Sequence, residues 1–179
     1  VIITSGGREF VSELSLQTVS KNKVHDNLWD KEAELAMGHI ELAKWADAVI
    51  IAPASANTIA RLCHGKADDL LSTVILATNA SILIAPSMNQ QMFASKAIKE
   101  NLKILNNRGV ITIDPGFGEQ ACGDVGEGRL AEPEEIARQV ATIFSNSALS
   151  GKKVLITIGG TIEAIDPVRY ISNHSSGKM

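Results

Sequence analysis

Apolar residues in this chain come as short unbroken runs separated by longer stretches in which they recur every three or four positions. The runs are Val1–Thr4, Ala48–Ala52, Ser81–Ala85 and Val110–Ile113. Each has strand length, and unbroken apolar character is what a parallel strand covered on both faces requires. The intervening stretches read as helices. Phe10, Val11, Leu14 and Leu16 give one pattern, and Gly38–Ala46 a short helix ended by Asp47. A helix from Ile59 is interrupted at Gly65, and another starts at Asp68-Asp69 and runs through Val74 to Ala77. Ala97, Ile98, Leu102 and Leu105 mark a helix ending at Asn107-Arg108-Gly109, and Glu132-Pro133 opens one through Ile136, Val140, Ile143 and Phe144. Alternating strands and helices predict an open α/β sheet with parallel strands.

Two runs end alike. Ala48–Ala52 stops at Pro53 and gives way to Ala54-Ser55-Ala56-Asn57-Thr58, while Ser81–Ala85 stops at Pro86 and gives way to Ser87-Met88-Asn89. In a parallel sheet both turns come to the carboxyl edge, where such folds bind ligands. Small residues there let a flat ligand approach the backbone, and Ser55, Asn57 and Thr58 bring hydroxyl and amide groups beside the unpaired N–H groups of a helix start. Capping of the following helix would use the same residue types, and the pattern leaves both uses open. His39, near the start of its helix, is a base or a packing residue. Cys63 lies on the apolar side of its helix and reads as core.

The rest is polar or glycine-rich. Ser5-Gly6-Gly7 reads as a turn, and Lys21–Lys31 as a surface loop with a solvated His25. Asp114–Gly128 is the longest Gly-rich stretch; ordered loops of this kind tend to be flaps over a site, and Cys122 lies within it. Residues 145–150 read as a linker, after which Gly151–Thr161 starts a new strand and glycine turn.

Composition narrows the setting. The 179 residues are 45% hydrophobic and 21% charged, enough for one sizeable core and part of another. A net charge of −3 without a dense Lys/Arg run argues against nucleic acid as a partner. No apolar run approaches the roughly 20 residues of a membrane span, and no secretory leader pattern opens the chain, so the default location is cytoplasmic. Cys63 and Cys122 are too few for a disulfide scaffold and show no metal-ligand spacing. The chain opens without Met on strand-like residues and closes in a Ser/Gly loop, so it reads as a piece of a longer polypeptide.

Taken together, Gly38-His39-Ile40-Glu41-Leu42, Pro53-Ala54-Ser55-Ala56-Asn57-Thr58, Pro86-Ser87-Met88-Asn89-Gln90-Gln91-Met92-Phe93 and Ala121-Cys122-Gly123-Asp124 resemble the flavin-dependent cysteine decarboxylases. Asp166-Pro167-Val168-Arg169-Tyr170-Ile171-Ser172-Asn173-His174-Ser175-Ser176-Gly177-Lys178-Met179 is similar to the opening of the ligase domain that follows in the bifunctional, coenzyme A branch. Phe93 stands where many members carry Trp or Tyr. The resemblance implies a Rossmann-like or flavodoxin-like doubly wound parallel sheet, with an FMN-binding domain over 1–146 and a linker plus truncated ligase domain over 147–179. The family's first strand, phosphate turn and first helix would precede Val1.

The implied activity is FMN-dependent decarboxylation of phosphopantothenoylcysteine to phosphopantetheine. The implied FMN contacts are Thr4, Ser5, Ser55, Ala56, Asn57, Thr58 and Ser87. His39 is implied as base, Asn89 as the holder of the substrate carboxylate, Met92, Gln120 and Ala121 as substrate neighbours, and Cys122 as proton donor. No metal is expected in this part; CTP and Mg belong to the absent ligase part. Homotrimers, or dodecamers built from them, are also implied.

The chemistry makes these residue types intelligible. A carboxylate beside an amide-bearing carbon leaves poorly because the resulting carbanion has no electron sink. Oxidation of the cysteinyl thiol to a thioaldehyde supplies one, and re-reduction with a proton from Cys122 closes a redox-neutral cycle. An uncharged Asn89 holds the carboxylate without the ground-state stabilisation a salt bridge would add. Other family activities, such as peptidyl-cysteine decarboxylation, prenyl transfer to flavin or non-enzymatic phosphatase inhibition, fit less well: the ligase-like tail opposes the first two, and the presence of both His39 and Cys122 opposes the last.

Overall fold

The computed structural model describes residues 1–29, 38–145, 162–166 and 168–172. The chain divides into two units, Val1–Phe144 and Ser145–Met179. In the first, the elements run α1 (Ser5–Arg8), α2 (Glu13–Ser20), α3 (Gly38–Trp45), β1 (Ala48–Ala54), α4 (Ala56–Cys63), α5 (Leu70–Ala77), β2 (Ser81–Pro86), α6 (Gln90–Ala94), α7 (Lys96–Asn107), β3 (Ile111–Thr112), β4 (Gly116–Glu119), β5 (Val125–Arg129) and α8 (Pro133–Phe144).

β1, β2 and β3 form a parallel sheet in that order. β2, in the middle, is the most continuously buried of the three, and Leu83 and Ile84 are fully buried. Alternation along the strand sends them to opposite faces. Ile84 joins Ile51, the α4 residues Ile59, Leu62 and Cys63, and the α7 residues Ile98, Leu102 and Leu105. Leu83 and Ala85 join Ile113 and Ala131, against which Ile136, Val140 and Ile143 of α8 pack. Helices therefore cover both faces, as a doubly wound sheet requires. Each fully buried aliphatic side chain contributes about 1.5–3 kcal/mol. A third cluster joins Ala43 of α3 to Leu70 and Val74 of α5, with Ile2, Leu28 and Leu42 against it.

Several local expectations are corrected. Val1–Thr4 is not a strand of the described sheet: Ile2 makes an isolated parallel bridge with His25, through Ile3 N–H to His25 O at 2.9 Å and His25 N–H to Val1 O at 2.8 Å. That pairing buries Val24 within the segment expected to be surface loop, whose residues from 30 onward lie outside the described set. Ser5-Gly6-Gly7 is not a turn but most of α1, with Thr4 as its N-cap. The next helix begins only at Glu13, and its apolar residues are not core: Phe10 is 92% exposed and Leu14 73%.

β1 also continues past Ala52. The Ala52–Pro53 peptide is cis, and the strand resumes pairing at Ala54, opposite Pro86. α4 starts at Ala56, three residues before the expected position, because Ser55 caps it. The Asp114–Gly128 stretch contains an antiparallel hairpin, β4–β5, in place of the expected loop.

In the second unit, β6 (Ile162–Ala164) and β7 (Tyr170–Ser172) pair antiparallel. Asp166 organises their connection, accepting from Val168 N–H at 2.9 Å and Arg169 N–H at 2.7 Å, with the Arg169 guanidinium on its other oxygen. The expected strand and glycine turn at Gly151–Thr161 lie outside the described residues, as do the last residues of the ligase-like segment.

Candidate active site

The two proline-terminated strands lie side by side. Ala54 is in register with Pro86, and Ser87 N–H donates to Ala54 O at 3.1 Å, so the turns that follow share the carboxyl edge of the sheet. Asn57 and Asn89 are thus at the same edge. Each turn lines its own cavity.

The first cavity is small, about 70 Å³, and polar. Three helix starts meet there. Thr4 caps α1 by accepting Gly7 N–H, Ser55 caps α4 by accepting Thr58 N–H at 3.2 Å, and Asp69 caps α5 in a reciprocal capping box with Ser72. Thr4, Ser5, Gly6, Ser55, Asn57 and Thr58 line the cavity together with Arg61, Asp69 and Ser72. Helix starts present N–H groups without intrahelical acceptors and the positive end of the dipole, the environment a phosphate or a polar ring edge needs. Arg61 is held by Asp68 at 3.2 Å and by a close pair with Asp69. Partial burial pushes the Asp69 carboxyl up, but the side-chain and backbone hydrogen bonds from Ser72 and the Arg61 charge outweigh this and hold it below its ordinary value. Ala56 takes no part in the lining; its side chain packs against the core.

The second cavity is about ten times larger, 720 Å³, and is lined by Ser87, Met88 and Asn89 from the end of β2, by Glu119, Gln120, Ala121 and Cys122 from the hairpin, and by Gly128, Arg129 and Leu130. The hairpin is fastened to the β2–α6 turn. Met88 N–H donates to Gly128 O at 2.9 Å, Gln90 N–H to Gln120 Oε1 at 2.9 Å, and Gln120 Nε2 to Met88 O at 3.4 Å. Gly128 is required where it stands: its φ is +135°, and a Cβ there would run into the Met88 carbonyl oxygen.

This fastening brings Asn89 and Cys122, 33 residues apart, into contact: Asn89 Nδ2 lies 3.3 Å from Cys122 Sγ. Asp124 completes the cluster, with Oδ2 at 3.1 Å from the same Nδ2 and 3.5 Å from the sulfur. Cys122 is exposed and a free thiol, whereas Cys63 is buried core as expected. Among the described residues no group of His, Cys, Asp and Glu has the arrangement of a metal site.

The expected site residues therefore sort into groups. Thr4, Ser5, Ser55, Asn57 and Thr58 share the first cavity. Ser87, Asn89, Gln120, Ala121 and Cys122 share the second. Met92 is half exposed on α6, and His39 is half-buried as the second residue of α3; both lie outside the two linings. Arg61, Asp69, Arg129 and the contact of Asp124 with Asn89 are additions from the structure. Only the Asp68-Asp69 pair at a helix start and the proximity of Asp124 to Cys122 hinted at them in the sequence.

Residues 1–145 match the family model described as Flavoprotein, and residues 149–179 match that of the DNA/pantothenate metabolism flavoprotein C-terminal domain. The whole chain is 59% identical, over 180 aligned residues, to the coenzyme A biosynthesis bifunctional protein CoaBC of Haemophilus influenzae, and covers 45% of that protein. The chain thus spans just under half the length of the curated relatives it matches. Among solved structures, a Cys-to-Ser mutant of PPC decarboxylase complexed with pantothenoylaminoethenethiol superposes with a TM-score of 0.69 at 31% identity, covering 80% of this chain and 81% of that one. The FMN binding protein AtHal3 gives 0.67 at 32%, with 82% of each covered.

Proposed function

The chain belongs to the Flavoprotein family, and from that premise we propose that it houses an FMN-dependent decarboxylase acting on phosphopantothenoylcysteine, in the synthesis of coenzyme A. The single observation that carries this reading is the meeting of Asn89 and Cys122 at a cavity large enough for an extended small molecule, on the sheet edge that also holds the polar first cavity. The donor set fits the flavin: hydroxyls of Thr4, Ser5, Ser55 and Thr58, the Asn57 amide, and the N–H groups of the α4 start, including that of Ala56, would hold its polar parts, with Ser87 bordering from the second cavity. Bound there, FMN supplies the two-electron redox chemistry that turns the thiol-bearing carbon into an electron sink.

The chain's own residues would do the rest. Asn89 holds the substrate carboxylate through its amide N–H groups, without a positive charge that would anchor the group to be lost. Gln120 and Ala121, from the lining of the second cavity, would bound the substrate arm, and the family resemblance adds Met92 from α6. Cys122, on the hairpin tip, would deliver a proton to the reduced product; the family resemblance assigns the proton acceptor of the thiol oxidation to His39, which stands outside both cavity linings. The match of residues 149–179 to a pantothenate-metabolism domain favours this reading over a peptidyl-cysteine decarboxylase or a non-enzymatic regulator.

We extend the proposal to the longer protein: phosphopantothenate–cysteine ligation with CTP and Mg²⁺ by a domain that begins within 147–179, assembly as homotrimers or dodecamers, and a cytoplasmic setting. Phe10, Leu14, Val19 and Trp45 carry exposed apolar side chains that such an assembly could cover. Among the described residues no helix is long and apolar enough to cross a membrane.

The test is direct. Full-length protein should carry bound flavin absorbance and release carbon dioxide from phosphopantothenoylcysteine, and His39→Asn should abolish substrate-driven bleaching of the flavin. A colourless protein, or a yellow one inert toward this substrate, sinks the proposal.

A further inference from the structure

The Asn89 side chain has two N–H groups and one acceptor oxygen, and all are engaged. Its oxygen accepts Gln91 N–H at 2.8 Å, as N-cap of α6. Its nitrogen donates to Cys122 Sγ at 3.3 Å and to Asp124 Oδ2 at 3.1 Å. An incoming carboxylate can therefore reach this amide only by displacing one of the two hairpin partners, and the partner it resembles is Asp124.

Asp124 is delivered there by the framework. Gln120 N–H donates to Asp124 O and Gly123 N–H to Gln120 O, both at 2.8 Å, and Gly123 adopts φ +85°, so the tip is a closed turn on a hairpin already tied to Met88 and Gln90. The Asp124 side chain is nonetheless exposed, so it can swing into solvent without giving up buried surface.

We propose that Asp124 is a built-in carboxylate that occupies Asn89 until the substrate carboxylate replaces it, and that reclaims Asn89 once carbon dioxide has left. The idea rests on the reading of Asn89 as the substrate-carboxylate holder. Two carboxylates on one amide repel each other, so the incoming charge drives Asp124 out. Substrate has to break the Asp124–Asn89 bond and the decarboxylated product does not, so the residue acts on specificity and turnover through Asn89, as a positioning residue.

The sign of the effect makes it testable with the full-length flavoprotein. Phosphopantothenoylserine keeps the carboxylate and lacks the thiol, so it binds without reacting; its decarboxylated counterpart, with the phosphate but no carboxylate, serves as the control. By titration calorimetry, Asp124→Ala should bind the serine compound about 3- to 10-fold more tightly than the parent, the net worth of one ordinary hydrogen bond at an exposed site. Affinity for the decarboxylated compound should stay within about twofold. Asp124→Asn, which keeps the shape and a neutral acceptor, should fall between, and guards against misfolding in the alanine variant. Weaker or unchanged binding of the serine compound in Asp124→Asn, or equal tightening of both ligands, overturns the exchange. Asn89→Ala separates the two failures. If it weakens the serine compound while the Asp124 variants do not tighten it, only the exchange falls; if it weakens neither ligand, the carboxylate reading of Asn89 falls and takes the exchange with it.

Discussion

The turns after β1 and β2 start from the same sequence design and end as different devices. Both follow an apolar strand closed by an Ala-Pro step, both bring an asparagine to the carboxyl edge, and Ala54 and Pro86 are direct neighbours in the sheet. After β1, the chain enters a helix, and its polar residues join two other helix starts around a cavity of about 70 Å³. After β2, a hairpin from 30 residues downstream folds over the turn and walls a cavity of about 720 Å³. The first turn draws its character from backbone N–H groups fixed by capping, the second from side chains positioned by a distant segment. A binding function needs only the former; chemistry on a reacting group needs donors and acids brought together from separate parts of the chain.

That contrast predicts different consequences for damage at each turn. The largest effect should come from Cys122→Ser at the second. Formation of reduced product should drop by roughly 100- to 10,000-fold, the usual worth of a positioned proton donor, while flavin content is unchanged. Mass spectrometry should then find a decarboxylated product two hydrogens short; normal phosphopantetheine output would remove Cys122 from the mechanism.

Next is Gly128→Ala. Forcing a Cβ into a φ of +135° against the Met88 carbonyl should cost about 1–3 kcal/mol and lift the hairpin from the β2 turn. Turnover should fall while the yellow colour persists, measured as kcat/KM against flavin absorbance; equal loss of both would mean that the two cavities do not act separately. Asn57→Ala is the counterpart at the first turn and should reverse the order, with flavin lost on dialysis before any change in the rate of protein that retains it.

The smallest effect is at Asp69. Asp69→Ala removes the α5 cap and should lower stability by about 1 kcal/mol in a denaturant titration. The folded-state carboxyl lies below its unfolded value, so its contribution is complete above the ordinary aspartate range and is lost as pH falls through the lowered folded value. The difference between parent and Asp69→Ala should therefore be constant near neutrality and shrink below about pH 4. A difference that grows on acidification would contradict the capping geometry.

Much of this was legible in local sequence because it has local causes. The apolar runs of β1 and β2, the Pro-terminated ends and the Gly stop after α7 depend on periodicity and on the backbone limits of single residues. So does the position of Cys63 on the apolar side of α4. The failures trace to missing neighbours. Phe10 and Leu14 have helix spacing, but apolar spacing does not say that a surface is available to bury them. Val24 looks isolated among polar residues, yet its neighbour His25 pairs with Ile2 and carries it inside. In the same way, a Gly-rich stretch reads as loop because the cross-strand partners that make β4–β5 a hairpin are invisible to period and propensity.

The sequence by itself determined that the chain is an α/β sheet protein with two similar strand-end turns and one thiol outside the core, because helix period, strand length and turn chemistry are written within a few residues. Only the tertiary structure decided that Asp124 and Cys122 share the Asn89 amide, and that Arg61 is held by Asp68 and Asp69. A hydrogen bond between side chains far apart in the chain exists only once backbone pairing has fixed where each begins. Met88 N–H on Gly128 O and Gln90 N–H on Gln120 Oε1 fix it here.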